Sequence, residues 1–267
     1  MDSGNIGFVL LCAAFVFVMT PGLAMFYGGL VRKKNVVNTM MTSIFIIGVG
    51  IVMWVLFGYS LSFAPSGNAF IGDFRWLGLE GVSLTEGYTD GASIPNMVFS
   101  AFQMMFAVIT PALITGAVAG RMKFKSIFVF TIFWSLIVYY PLAHMVWGQG
   151  GLLGADGIGA LDFAGGDVVH ISSGVSALVL CILLGKRHDY EHSIYRIHNI
   201  PTVVLGASLL MFGWFGFNAG SALAADGLAA HAFMTTGVSA AAAMLSWMLC
   251  DIIKNKKPTL IGASTGM

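Results

Sequence analysis

Charge is scarce in this chain. Of 267 residues only 9% are Asp, Glu, Lys or Arg, where a soluble domain carries about a quarter. So few charges cannot cover a water-facing surface, and 57% of the residues are hydrophobic, with a mean hydropathy of +0.86. The bilayer is therefore the expected solvent. Cysteine is also rare. Cys12, Cys181 and Cys250 each lie inside an apolar run, which argues against a disulfide framework or a thiolate metal site and reads as small reduced hydrophobes. Paired CxxC and HExxH motifs are missing, so membrane metalloenzyme chemistry is not indicated, and nothing points to a metal or a cofactor. No basic stripe exists to track phosphates, which excludes nucleic acid as a partner. The N-terminal MDSGNIG has no basic leader region, so the first apolar run is expected to stay as a span.

What is present is a series of apolar runs. Seven are long enough to cross a membrane as helices, near 6–31, 36–63, 97–120, 126–147, 167–185, 201–220 and 229–253. The apolar content is even along the chain, so 1–267 reads as a single transmembrane domain, an all-α polytopic membrane helical bundle. Pro21, Pro111 and Pro141 fall inside spans, where neighbouring helices can re-satisfy the backbone.

Basic residues cluster after every odd span: Arg32-Lys33-Lys34, Arg121/Lys123/Lys125, Lys186-Arg187 with Arg196, and Lys254/Lys256/Lys257. The other connections hold Arg75 and the acids Asp73, Glu80, Glu86, Asp90, Asp156, Asp162 and Asp226. By the positive-inside rule the N-terminus is external. Glycine is abundant, with 34 residues, and 116-GAVAG-120 and 216-GFNAG-220 have the spacing that lets helices approach closely.

Orientation puts several side chains at one depth. Phe102 and Phe106 lie in the outer half of span 3, Trp147 closes span 4, and Trp214, Phe217, Asn218 and Ser221 lie toward the outer end of span 6. Ring faces attract a small cation through their quadrupoles, and a hydroxyl can accept its hydrogen bond. An ordinary interfacial aromatic belt would look similar. The stretch 162-DFAGGDVVHISSG-174 tips the balance. Asp162 is placed to cap span 5, with Asp167 a second candidate, and His170 then falls about two turns deeper, near mid-bilayer. An ionisable group there marks a polar path or a proton relay, the alternative being a neutral histidine satisfied by one core hydrogen bond. His144 and His231 are expected at the interface, and His188, His192 and His198 in a solvated loop. No carboxylate pair sits mid-span, which disfavours a carboxylate-driven proton pump. Span 7 has no lysine before Lys254, which disfavours a retinal receptor.

Six stretches carry a resemblance to a known family: 20-TPGLAMFYGGLVRKKN-35, 102-FQMMFAVITPALITGA-117, 143-AHMVWGQGGLL-153, 161-LDFAGGDVVHI-171, 198-HNIPTVVLGASLLMFGWFGFNAGSA-222 and 258-PTLIGASTG-266. Together they resemble the ammonium transporters of the Amt branch of the Amt/Mep/Rh family. The resemblance implies an inverted-repeat fold of eleven spans, of which seven are present and the second repeat, from about residue 200, is incomplete, as in a fragment or a truncated product. It implies an external ammonium site at Trp147 and Ser221 with Phe106 supplying a ring face, a phenyl gate of Phe106 and Phe217, and further pore aromatics at Phe102 and Trp214. It makes Asp162 the aspartate supporting the recruitment site and His170 the first of two pore histidines. It further implies a channel-like transporter that deprotonates ammonium and conducts ammonia, a homotrimer in the inner or plasma membrane, and a PII-type regulatory protein as partner. An Amt-like sensor coupled to a cytoplasmic signalling domain is the competing reading.

Overall fold

A computed structural model describes residues 1–155, 157–187, 190 and 196–267. Among them there is no strand. Seven helices have the length and apolarity of membrane spans: α1 (Ser3–Leu30), α2 (Lys33–Phe63), α3 (Asn96–Val118), α4 (Phe124–Trp147), α5 (Gly166–Leu184), α6 (Ile200–Gly220) and α7 (Gly227–Asn255). A short α8 (Leu260–Gly266) follows. The expected spans are all present, with ends shifted by a few residues. His188, His192 and Asp156 lie outside the described residues.

Caps fix several of these ends. Asp2, Asn199, Asp226 and Thr259 each accept a hydrogen bond from a backbone N–H of the first turn that follows. Three helices contain a widened turn, at Trp54–Gly58, Ser135–Tyr139 and Gly166–Ile171. In α4 that turn immediately precedes Pro141. Proline has no N–H and its ring crowds the carbonyl four residues back, so a loosened turn at this point lets the helix continue.

In lipid, apolar burial gives little drive for helices to associate, so close contact and interhelical hydrogen bonds do more of the work. The tightest seam joins α1 to α6. A Cβ on Gly206 would lie 2.3 Å from the Phe26 backbone nitrogen, one on Gly213 2.6 Å from the Phe15 carbonyl oxygen, and one on Gly216 3.0 Å from the Cys12 carbonyl oxygen. Gly22 on the α1 side faces the same seam, 3.2 Å from the Gly206 oxygen. Any side chain at these positions would drive the two backbones apart. Thus 216-GFNAG-220 serves helix packing, while 116-GAVAG-120 splits: Gly116 makes room for the Tyr27 ring, and Gly120 (φ 69°) ends the turn after α3. Polar ties join the other helices. Tyr27 Oη donates to the Leu113 carbonyl (2.9 Å), Trp54 Nε1 to the Ser100 carbonyl (3.2 Å), Trp134 Nε1 to Ser176 Oγ (2.8 Å), and Asn218 Nδ2 to Thr236 Oγ1 (2.8 Å).

The charge pattern segregates by end. Arg32, Arg187 and Arg196 line one cavity with the ends of α1 and α3. At the other end the N-terminus joins the remaining loops, through Asp2 N–H to the Ser93 carbonyl (2.9 Å) and Ala225 N–H to Asn5 Oδ1 (2.8 Å). Arg75, the base on this side, pairs with Asp73 at 2.7 Å, and its guanidinium holds the Asp73 carboxyl below the ordinary carboxylate range.

His144 departs from expectation. Instead of sitting at the interface it is fully buried in α4, with Nδ1 3.1 Å from the Ser62 carbonyl and Nε2 2.8 Å from the Asn68 carbonyl. The loop after α2 folds down over it, which spacing along α4 could not reveal. His231 and His198 are exposed.

Candidate functional site

At the end of the bundle that holds the N-terminus, a cavity of about 410 Å³ opens among the loops. Phe102, Phe106, Trp147 and Ser221, drawn from α3, the end of α4 and the end of α6, all line it. Helical spacing explains the α3 contribution, since residues 99, 102, 103 and 106 share one face. Phe102 and Phe106 are almost wholly buried, while Trp147 and Ser221 are half-buried at the rim.

Two polar side chains at the rim are oriented by backbone partners. Trp147 Nε1 donates to the Asp162 carbonyl at 3.0 Å, which fixes the indole plane. Its ring meets Phe106 edge-on, at 6.1 Å and 90°. Ser221 Oγ donates to the Phe217 carbonyl at 2.8 Å. With its single proton committed, the hydroxyl has only lone pairs left to offer, so toward the cavity it is an acceptor.

Beneath Phe106 the rings continue as a file. Phe102 packs against Phe106 at 4.9 Å, and Phe106 against Phe217 at 4.3 Å with a 38° tilt. Phe217 touches Trp214 (5.6 Å) and His170 (6.0 Å), and the His170 and Trp214 rings stack at 5.7 Å and 7°. One continuous series of faces thus runs from the cavity to an imidazole.

Asp162 stands apart from this lining. Its Oδ1 accepts from the N–H groups of Gly165 and Gly166, and its Oδ2 from those of Asp167 (2.8 Å) and Val168 (3.0 Å). Gly165 has φ 100°, a left-handed conformation that glycine adopts at little cost and that turns its N–H back onto the carboxylate. The cap is therefore Asp162, with Asp167 on the donating side. Asp162 acts on the cavity through its carbonyl, which holds Trp147. His170 lies near the start of its helix. Helix α5 begins only at Gly166, so His170 is its fifth residue, about one turn in rather than two, and it is exposed.

Sequence reasoning missed Tyr88, Phe99, Gln103 and Phe163, which share the cavity wall. Tyr88 stacks on Phe99 at 4.7 Å and 2°. Tyr88 comes from the long loop before α3, whose folding no helical periodicity predicts. Gln103 was readable from its place between Phe102 and Phe106 on one face.

Seven span-length apolar helices holding a file of stacked rings, with an aromatic chamber at one end, define a polytopic membrane protein. The sequence model of the Ammonium Transporter Family matches residues 7–267, and the chain belongs to that family. An ammonium transporter of Bacillus subtilis (strain 168) is 52% identical over 267 residues, covering 100% of this chain and 64% of the relative. The crystal structure of Saccharomyces cerevisiae Mep2 superposes with a TM-score of 0.90 at 37% identity, covering 100% of this chain and 59% of that one. A structure titled Sensor Amt Protein superposes with a TM-score of 0.85 at 27% identity, covering 99% and 69%. The chain thus spans about three fifths of the length of the first two. The relatives are named as transporters, not as enzymes.

Proposed function

We propose that this chain forms the recruitment mouth and upper pore of an ammonium transporter, with the N-terminus outside the cell membrane. The observation that carries this reading is the convergence of Phe102, Phe106, Trp147 and acceptor-only Ser221 on one cavity that leads onto the Phe106–Phe217 pair. An ion entering a low-dielectric path loses its hydration at heavy cost. In the cavity, ring faces attract the ammonium charge and the Ser221 oxygen takes one N–H, so part of the lost water is replaced. Phe106 and Phe217 leave no polar partner between their faces, which favours passage of neutral ammonia over the cation. Ammonium can shed a proton and continue; potassium cannot. Beyond the gate, His170 offers a lone pair or a proton, and its stacking on Trp214 orients the ring along the path.

Asp162 serves this machinery by holding the start of α5 and the plane of Trp147. Several further features are extensions of the family resemblance: an inverted repeat beginning near residue 200, a homotrimer, and a PII-type protein docking on the end that bears Arg32, Arg187 and Arg196. Uptake of radiolabelled methylammonium into proteoliposomes, measured on the complete gene product, tests the proposal. Saturable uptake that ammonium competes for and potassium does not is the expected result. No uptake above protein-free liposomes would overturn it.

A second reading, an ammonium sensor, has the likeness to the structure titled Sensor Amt Protein in its favour. It predicts saturable ammonium binding without flux in the same preparation.

A further inference from the structure

One residue of the cavity lining carries a buried, unsatisfied group. Gln103 lines the chamber beside Phe102 and Phe106, and the residue is only 8% exposed. Its Oε1 is buried and accepts no hydrogen bond. A buried carbonyl without a donor carries a desolvation cost that nothing offsets, and such groups in a native fold call for an explanation. Two other polar groups of the lining are already spoken for, Ser221 Oγ on the Phe217 carbonyl and Trp147 Nε1 on the Asp162 carbonyl, and the nearby Asp162 carboxylate, outside the lining, is held by four backbone N–H groups.

Ammonium brings four N–H donors and no acceptor. Ser221 can take one of them and the ring faces attract the charge without accepting a directed bond, so the chamber is short of acceptors for its proposed ligand. We propose that Gln103 is a ligand-binding residue of this chamber, its amide oxygen accepting a hydrogen bond from the ammonium ion. The terminal torsion of glutamine is broad, and rotation about it presents the oxygen to the cavity. Which amide atom points where is set by the surrounding hydrogen bonds, and a donor-rich cation changes that balance. A directed acceptor also separates ammonium from potassium: an N–H aimed at an oxygen is rewarded, while a spherical ion of similar size gains nothing from the direction.

This inference depends on the ammonium-transport reading above, and the experiment separates the two. Gln103→Leu, Gln103→Met and Gln103→Glu are compared with the parent in proteoliposomes of the complete gene product, reading the KM for methylammonium, inhibition by ammonium and by potassium, and thermal stability. Leu has no acceptor and Met only a weak thioether sulfur, and both are expected to raise the KM about tenfold, the scale of one hydrogen bond to a charged group. Their thermal stability should equal or exceed the parent's, since the unpartnered oxygen is gone. Glu keeps acceptors and is expected to hold the KM at or below the parent value. A KM within about twofold of the parent in Leu and Met, an equal rise in all three variants, or failure of both apolar variants to fold would each overturn the assignment. A parent that transports nothing would remove the underlying function as well. A parent that transports normally, with Trp147→Leu impaired and the Gln103 variants unchanged, would remove only this inference.

Discussion

Replacing Trp147 by leucine takes away the largest ring face at the cavity rim. The side chain is half-buried, so its attraction for a cation falls between the exposed value of roughly 0.5–1 kcal/mol and the desolvated value of about 2 kcal/mol. An intermediate loss of about 1–1.4 kcal/mol corresponds to a roughly five- to tenfold weaker apparent affinity for ammonium. Leucine also removes the N–H that donates to the Asp162 carbonyl, a bond worth about 1 kcal/mol that positions the ring. Trp147→Phe separates the two effects, because it drops the hydrogen bond and keeps an aromatic face. The assay is ammonium-dependent current or methylammonium uptake, with potassium as competitor. The order expected is parent, then Phe, then Leu, in both affinity and discrimination against potassium. A leucine variant with the parent's KM and the parent's selectivity would refute the cation–π argument, whatever its total flux.

The α1–α6 seam gives a sharper structural test. Gly206→Ala places a methyl 2.3 Å from the Phe26 backbone nitrogen, which no rotamer can relieve, so a loss of about 1–3 kcal/mol or more is expected as a drop in thermal stability in detergent. Asp162→Asn keeps the shape but turns charge-assisted bonds into neutral ones and faces an amide donor toward backbone N–H groups. It should cost about 2–3 kcal/mol and lower the affinity for ammonium through a displaced Trp147; unchanged stability would mean that the cap is not needed. His170→Asp introduces a fixed charge beside Trp214 and Phe217 and is expected to alter ion selectivity and the pH response of uptake. If current, selectivity and pH profile all matched the parent, the histidine would have only a packing role.

The spans were legible because bilayer thickness demands long apolar runs, and the basic clusters mark the ends of alternate spans. Phe102, Phe106, Trp147, Phe217 and Ser221 were legible as neighbours, because helix order and orientation place them at one depth. His144 was misjudged because its partners, the Ser62 and Asn68 carbonyls, arrive from another span and its loop. The number of helical turns before His170 was overcounted because residues 162–165 form a folded cap, not helix. Gln103 escaped notice for a different reason: an amide inside an apolar helix looks like filler until its oxygen is found without a partner.

The way Asp162 spends its charge has a kinetic consequence. A naked carboxylate at the rim would grip an arriving cation as a counter-ion does, and tight capture slows release. Here both oxygens are committed to the chain's own amides. On the transport reading, the entrance keeps the carboxylate's negative charge nearby without a sticky anion in the way, which suits a conduit where residence must be brief.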